Sequence, residues 1–149
     1  MRELKFGFDR WGLLLFLAVM LPNFLWFALP TPNDILRGES VTPMLDTVAS
    51  VLQVLMAAAL CLIVRSDGRR FSWKTPWIVA GLGSLVLYYA AWSFYYCGIT
   101  APALLLALCI LPCAALVFYE IERRNWIALI PTAAFSACHL TFGIVNFLL

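Results

Sequence analysis

Five apolar runs follow one another along the chain, separated by short polar stretches, at about 11–29, 43–64, 76–96, 102–119 and 126–148. A helix rises ~1.5 Å per residue, so ~20 apolar residues cross the ~30 Å hydrocarbon core of a bilayer. Each run has that length, and the pattern predicts an all-α bundle of five transmembrane helices. Local signals mark the ends. Thr42 before Pro43 and Thr75 before Pro76 have the form of a cap followed by a first-turn proline. Thr100 stands in a similar place before Pro102, and Gly98 can end the third run. Pro22 and Asn23 predict a kink inside the first run, and Pro112 lies inside the fourth. The connections are a proline-rich stretch (Pro30 to Asp34), a polar stretch (Arg65 to Thr75, with the turn pair Asp67-Gly68) and a polar stretch from Glu120 to Asn125.

Composition removes the soluble alternative. The chain has 149 residues, 64% hydrophobic and 12% charged, whereas soluble domains carry about a quarter charged residues. Lipid is the solvent that such a surface requires. The runs are too closely spaced for a separate soluble domain, so residues 1–149 are expected to form a single transmembrane helical domain. The basic N-terminus and first apolar run superficially resemble a signal peptide. The run is too long, however, and no small-residue cleavage site closes it, so it is expected to stay as a span.

Charge gives an expected orientation. Nine of the ten Lys and Arg residues (Arg2, Lys5, Arg10, Arg65, Arg69, Arg70, Lys74, Arg123 and Arg124) fall on one side of the predicted bundle, and Arg37 alone on the other. The positive-inside rule then places the N-terminus in the cytoplasm and the C-terminus outside, as for a multi-pass protein of the cell (inner) membrane. These basic residues are topology markers and imply no nucleic-acid partner. The tryptophans fit two headgroup levels, with Trp11, Trp73, Trp77 and Trp126 toward the inner one and Trp26 and Trp92 toward the outer one. Asp46 begins its helix, where the macrodipole favours a negative charge, and Asp34 and Glu39 in the first connection are expected to be solvated.

Catalytic chemistry is hard to find. The sequence has no HExxH, no glycine-rich phosphate loop and no pair of intramembrane carboxylates. Cys61, Cys97, Cys109, Cys113 and Cys138 form no CxxC and are odd in number, so they suit helix packing better than a disulfide framework. Cys138 and His139 are ~100° apart around a helix, a poor start for one metal site. Ser50 is at a depth compatible with His139 as a base, but no orienting acid accompanies them. No enzyme, metal or cofactor is expected.

A polar layer is the informative feature. Counted from the inner ends, Asn23, Gln53 and Tyr88 lie ~18 Å up their helices and His139, the only histidine, ~20 Å. On the second helix Asp46, Ser50, Gln53, Ala57 and Cys61 form one stripe. On the fifth, Thr132, Phe135, His139, Phe142, Gly143 and Asn146 form another. Polar groups in lipid need partners, so both stripes should face the bundle. Two readings stay open: hydrogen bonds that hold the helices in register, or a ligand pocket or proton-linked pathway through His139.

At the end of the third run the chain reads Leu87-Tyr88-Tyr89-Ala90-Ala91-Trp92-Ser93-Phe94-Tyr95-Tyr96-Cys97-Gly98. Here it resembles the TspO/translocator protein family, the tryptophan-rich sensory proteins, which carry Trp-Ser, an aromatic pair and Gly at this spacing. Trp92, Ser93, Tyr96 and Gly98 match. Trp26-Phe27 before Pro30 and Pro32, and Pro131 near the start of the fifth helix, are similar to further family features. The family's asparagine three residues before the tryptophan is Tyr89 here. The resemblance implies a five-helix bundle with a pocket for a flat, largely apolar ligand such as a porphyrin or sterol, lined by Trp26, Tyr89, Trp92 and Phe135, with His139 from the polar layer. The rings also have a case of their own, because large aromatics with polar tips suit an amphipathic ligand or an interfacial belt. The leading expectation is therefore binding or movement of a small hydrophobic ligand. The alternative is a non-catalytic structural or regulatory membrane subunit, which the small-xxx-small pairs Ala80/Ser84 and Ala133/Ala137 would suit, homo-oligomers included.

Overall fold

In a computed structural model, which describes residues 4–66 and 70–148, the apolar runs form five helices. They are α1 (Arg10–Ala28), α2 (Pro43–Leu62), α3 (Pro76–Tyr96), α4 (Pro102–Arg123) and α5 (Trp126–Phe147). All five are long and apolar enough to cross a membrane. Apolar side chains also cover the outside of the bundle: Val54, Val86 and Ile130, on three different helices, are 68%, 69% and 72% exposed. Only a hydrocarbon surround makes that arrangement favourable, and the chain is a multi-pass membrane protein.

α3 packs on α4, α4 on α5 and α5 on α2, and α1 closes the ring with thinner contacts to α2, α3 and α4. The starts of α1, α3 and α5 and the ends of α2 and α4 share one end of the bundle, called the near end. The opposite, far end carries the connections 29–42 and 97–101. Every described Lys and Arg except Arg37 belongs to the near end. Arg2, Arg69 and the turn pair Asp67-Gly68 lie outside the described residues.

The near end holds the main departures from the sequence pattern. α2 stops at Leu62, and Ile63–Arg65 becomes a short strand, β2, paired antiparallel with β1 (Leu4–Phe6) in the register Leu4↔Arg65, Lys5↔Val64 and Phe6↔Ile63. The two β-branched residues favour extended backbone, and the N-terminal segment supplies the partner. α4 does not end near Tyr119 but continues through Glu120 to Arg123. Its charged last turn is not loop, because Glu120 is completely buried and accepts a hydrogen bond from Thr132 Oγ1 (2.6 Å). Arg124 then adopts a left-handed conformation (φ 49°) as the cap of α4, and Asn125 is already the N-cap of α5.

Asparagine at that position joins helix ends. Asn125 Oδ1 accepts from Ala128 N, while Nδ2 donates to Ala59 O (3.2 Å) and Ile63 O (2.8 Å) at the end of α2. Asp9 does the same for α1. Its Oδ1 accepts from the Trp11 and Gly12 amides. Its Oδ2 accepts from Tyr119 Oη (2.8 Å) and pairs with Arg123. The near end is thus latched by buried polar groups that satisfy helix ends, as a low-dielectric surround demands.

Capping elsewhere differs from the sequence signals. Ala101, not Thr100, is the N-cap of α4, and Thr42 and Thr75 hold cap positions without a side-chain cap bond. Gly98 leaves α3 with φ 87°, a conformation glycine adopts freely.

Candidate functional site

A cavity of about 500 Å³ lies inside the ring and is walled by all five helices. It reaches from the first connection at the far end (Leu36, Gly38, Ser40) to Met56 and Leu116 in the middle of the bundle. It exists because α1 stands off from its neighbours while α2, α5, α4 and α3 pack closely. The tight α4–α5 contact depends on Gly143, where a Cβ would meet Cys109 Sγ at 2.7 Å.

The four residues of the polar layer all line this cavity: Asn23, Gln53, Tyr88 and His139. Two of them touch, Asn23 Nδ2 donating to Tyr88 Oη at 3.0 Å and also to Val19 O within α1. Gln53 Nε2 donates to Met20 Sδ (3.2 Å), linking α2 to α1. His139 lies between Phe135 and Phe142, with ring centroids 5.2 and 6.4 Å away and planes within 15° and 6° of parallel.

Of the aromatic residues implied by the resemblance, Trp26, Trp92 and Phe135 line the cavity and Tyr89 does not. Tyr89 turns to α1, where its hydroxyl donates to Ala18 O at 2.8 Å. Ala18 is four residues before Pro22, which has no N–H to give it. Tyr89 therefore repairs a helix defect. Trp92 is 5% exposed and sits at the centre of an aromatic cluster, edge-on to Tyr88 and Tyr95 and tilted toward Trp26 and Tyr96.

The two stripes divide. On α2 Asp46, Ser50 and Gln53 face the cavity, while Cys61 is buried at the near end. On α5 Phe135, His139 and Phe142 face it. Thr132 binds Glu120, Gly143 meets α4, and Asn146 ties α5 to the first connection through Val41 N and Thr42 Oγ1.

The rim is built around Asp34. Its carboxylate accepts from Trp26 Nε1 (2.9 Å) and Tyr95 Oη (3.0 Å) and pairs with Arg37, whose guanidinium also donates to Trp26 O and lies 4.8 Å from the Trp26 ring centroid. Tyr95 Oη in turn accepts from Leu36 N, and Asn33 Nδ2 donates to Gly98 O. The sequence expectation of a solvated Asp34 is corrected: its side chain is 15% exposed. Burial works against its charge, but the hydrogen bonds from Trp26, Arg37 and Tyr95 outweigh it and hold the carboxyl below the ordinary range. Glu39 is exposed, as expected.

A second, smaller hollow of about 190 Å³ lies at the near end, among Trp11, Phe71, Trp73, Trp77 and Tyr119. Trp11 stacks on Phe71 (4.7 Å, 18°), and Trp73 meets both rings edge-on. This is the near-end tryptophan belt in three dimensions.

Sequence reading passed over Asp9, Tyr119, Glu120 and Asn125. Asp9 had a legible signal, an N-cap residue directly before an apolar run. The other three show their role only through long-range partners. Among the described residues no three His, Cys, Asp or Glu side chains converge as a metal site, and all five cysteines are free. Compared with protein-family models, curated proteins and solved structures, the chain matches none.

Proposed function

We propose that this protein binds, or passes across the bilayer, a small and largely apolar ligand held in the central cavity. The observation that carries the reading is the cavity itself. Its volume of about 500 Å³ lies within the ~300–1,000 Å³ usual for small-molecule sites. Its walls are mostly apolar and aromatic, with a few polar groups, Asn23, Gln53, Ser50 and His139, that could orient a guest. The TspO-like residues Trp92, Ser93, Tyr96 and Gly98 favour a flat guest of the porphyrin or sterol kind. A non-catalytic structural subunit is the second reading, and the latched near end supports it.

The excess of Lys and Arg at the near end supports a cytoplasmic N-terminus in a cell membrane. The mouth of the cavity would then face outward.

The test is a titration of the purified protein in detergent with a porphyrin and with a sterol, followed by tryptophan fluorescence. Saturable micromolar quenching is expected, weakened at least several-fold by Trp92→Phe and unaffected by Trp11→Phe, which lies at the other end. Linear quenching that is the same in all three proteins is micelle partitioning and would remove the pocket in favour of the structural reading.

A further inference from the structure

The charge pattern around the cavity separates ligands that shape alone would admit. Among the described residues Asp46 is the one formally charged side chain in its lining, and neither Lys nor Arg reaches the wall. No cation among them pairs with Asp46; its carboxylate accepts only from Thr42 Oγ1, at 3.4 Å. Among the described residues the far end carries the side-chain charges of Asp34, Glu39 and Asp46 against Arg37, and Arg37 is already paired with Asp34. Helix dipoles add to this. α1, α3 and α5 end there and only α2 and α4 begin there, so partial negative charge exceeds positive. The rings of Trp26, Trp92, Phe135 and Phe142 line the same cavity, and aromatic rings attract cations through their faces. One of them already does so, since the Arg37 guanidinium lies over Trp26.

We infer that the central cavity selects lipophilic cations, molecules with an aromatic or aliphatic body and an amine, quaternary ammonium or phosphonium charge, over anions of the same shape. The inference rests on the ligand-binding reading above and narrows it. The body of the guest lies among the rings in the middle of the bundle, and its charge lies toward Asp46 and the rim. An anion at the same place meets a carboxylate that no cation among the described residues neutralises, and like charges beside a protein wall repel more than they do in bulk water. By this argument a porphyrin bearing free carboxylates is a poorer guest than a neutral or cationic molecule of its size.

The experiment uses tetraphenylphosphonium and tetraphenylborate, ions of nearly one shape and opposite charge, with uncharged triphenylphosphine oxide as reference. Binding to the detergent-solubilised protein is measured by equilibrium dialysis against protein-free micelles, so that partitioning is subtracted. The phosphonium ion is expected to saturate with an affinity at least about tenfold above any saturable borate binding, a gap of ~1.4 kcal/mol. Asp46→Asn should reduce phosphonium affinity by about that factor and leave the oxide unchanged. Ser50→Asp, one turn further along the same cavity wall, should strengthen it, which keeps the test available if the Asn variant does not fold. Equal saturable affinities for the two ions, or phosphonium binding indifferent to Asp46→Asn and Ser50→Asp, would overturn the charge selection while leaving the pocket standing. If the uncharged oxide and both ions only partition, the pocket itself fails and the selection fails with it.

Discussion

Asp34 shows how far one residue's environment can depart from its sequence context. Among prolines in a connection it has the look of a solvated turn residue, yet it collects Trp26, Tyr95 and Arg37 and thereby fixes the rim of the cavity. Its carboxyl is held below the ordinary range, burial opposing and the three hydrogen bonds prevailing. A carboxyl with a depressed folded-state pKa contributes stability above its unfolded value of ~3.9 and loses that contribution as pH falls through the lower folded value. Acidification through and below pH ~4 should therefore loosen the first connection. Asp34→Asn should show the same loosening at neutral pH, with less further change on acidification. Proteolytic or hydrogen-exchange sensitivity of residues 29–42 across a pH series measures both, and an identical pH response in wild type and variant would refute the role of Asp34.

At the scale of elements, α1 is the helix that differs from the others. Pro22 removes the amide that Ala18 O would accept, and Tyr89 on α3 replaces it with a hydroxyl. In lipid a backbone carbonyl has no water to turn to, so neighbouring helices tend to provide such repairs. Tyr89→Phe should cost about 1–2 kcal/mol in thermal or denaturant unfolding in detergent, within the usual cost of an unsatisfied buried acceptor. A Pro22→Ala background restores a backbone N–H at that position, which can reach Ala18 O, and the same change should then cost little. A full loss in both backgrounds would mean that Tyr89 acts through packing instead. The thin packing of α1 is also what leaves room for the cavity between it and the tighter α2–α5–α4–α3 arc.

At the scale of the molecule the two ends have different characters. The near end is closed by Asp9, Asn125, the β1–β2 pair and the Glu120–Thr132 bond. The far end is open to the cavity and rimmed by acids. Cys97 is an exposed free cysteine there, whereas Cys61, Cys109 and Cys113 are buried and Cys138 is half-buried within α5. A membrane-impermeant thiol reagent applied to intact cells should label the protein through Cys97 if the far end faces outward as proposed, and Cys97→Ser should abolish the signal. Labelling that appears only after the membrane is broken open would reverse the orientation.

Span number and helix type were legible in the sequence because hydropathy is a one-dimensional property: ~20 consecutive apolar residues have few other stable states in lipid. α3 runs from Pro76 to Tyr96 as the pattern predicts, and α1 and α5 differ by no more than a residue at each end. Helix depth is nearly one-dimensional too: the rise per residue gives Asn23, Gln53, Tyr88 and His139 a similar expected depth, and the fold sets all four on the wall of one cavity. Tertiary structure decided everything that depends on azimuth and partner. It turned Tyr89 away from the cavity and toward a proline defect. It buried Glu120 in a helix that composition alone would end at Tyr119, drew Ile63 and Val64 out of the expected second helix into a strand with Arg65, and set Asp46 on a cavity wall with no cation beside it among the described residues. Each of these outcomes depends on contacts, or their absence, between residues distant in sequence. Hydrophobic periodicity says only that a residue faces inward, and the neighbouring helix determines what it meets there.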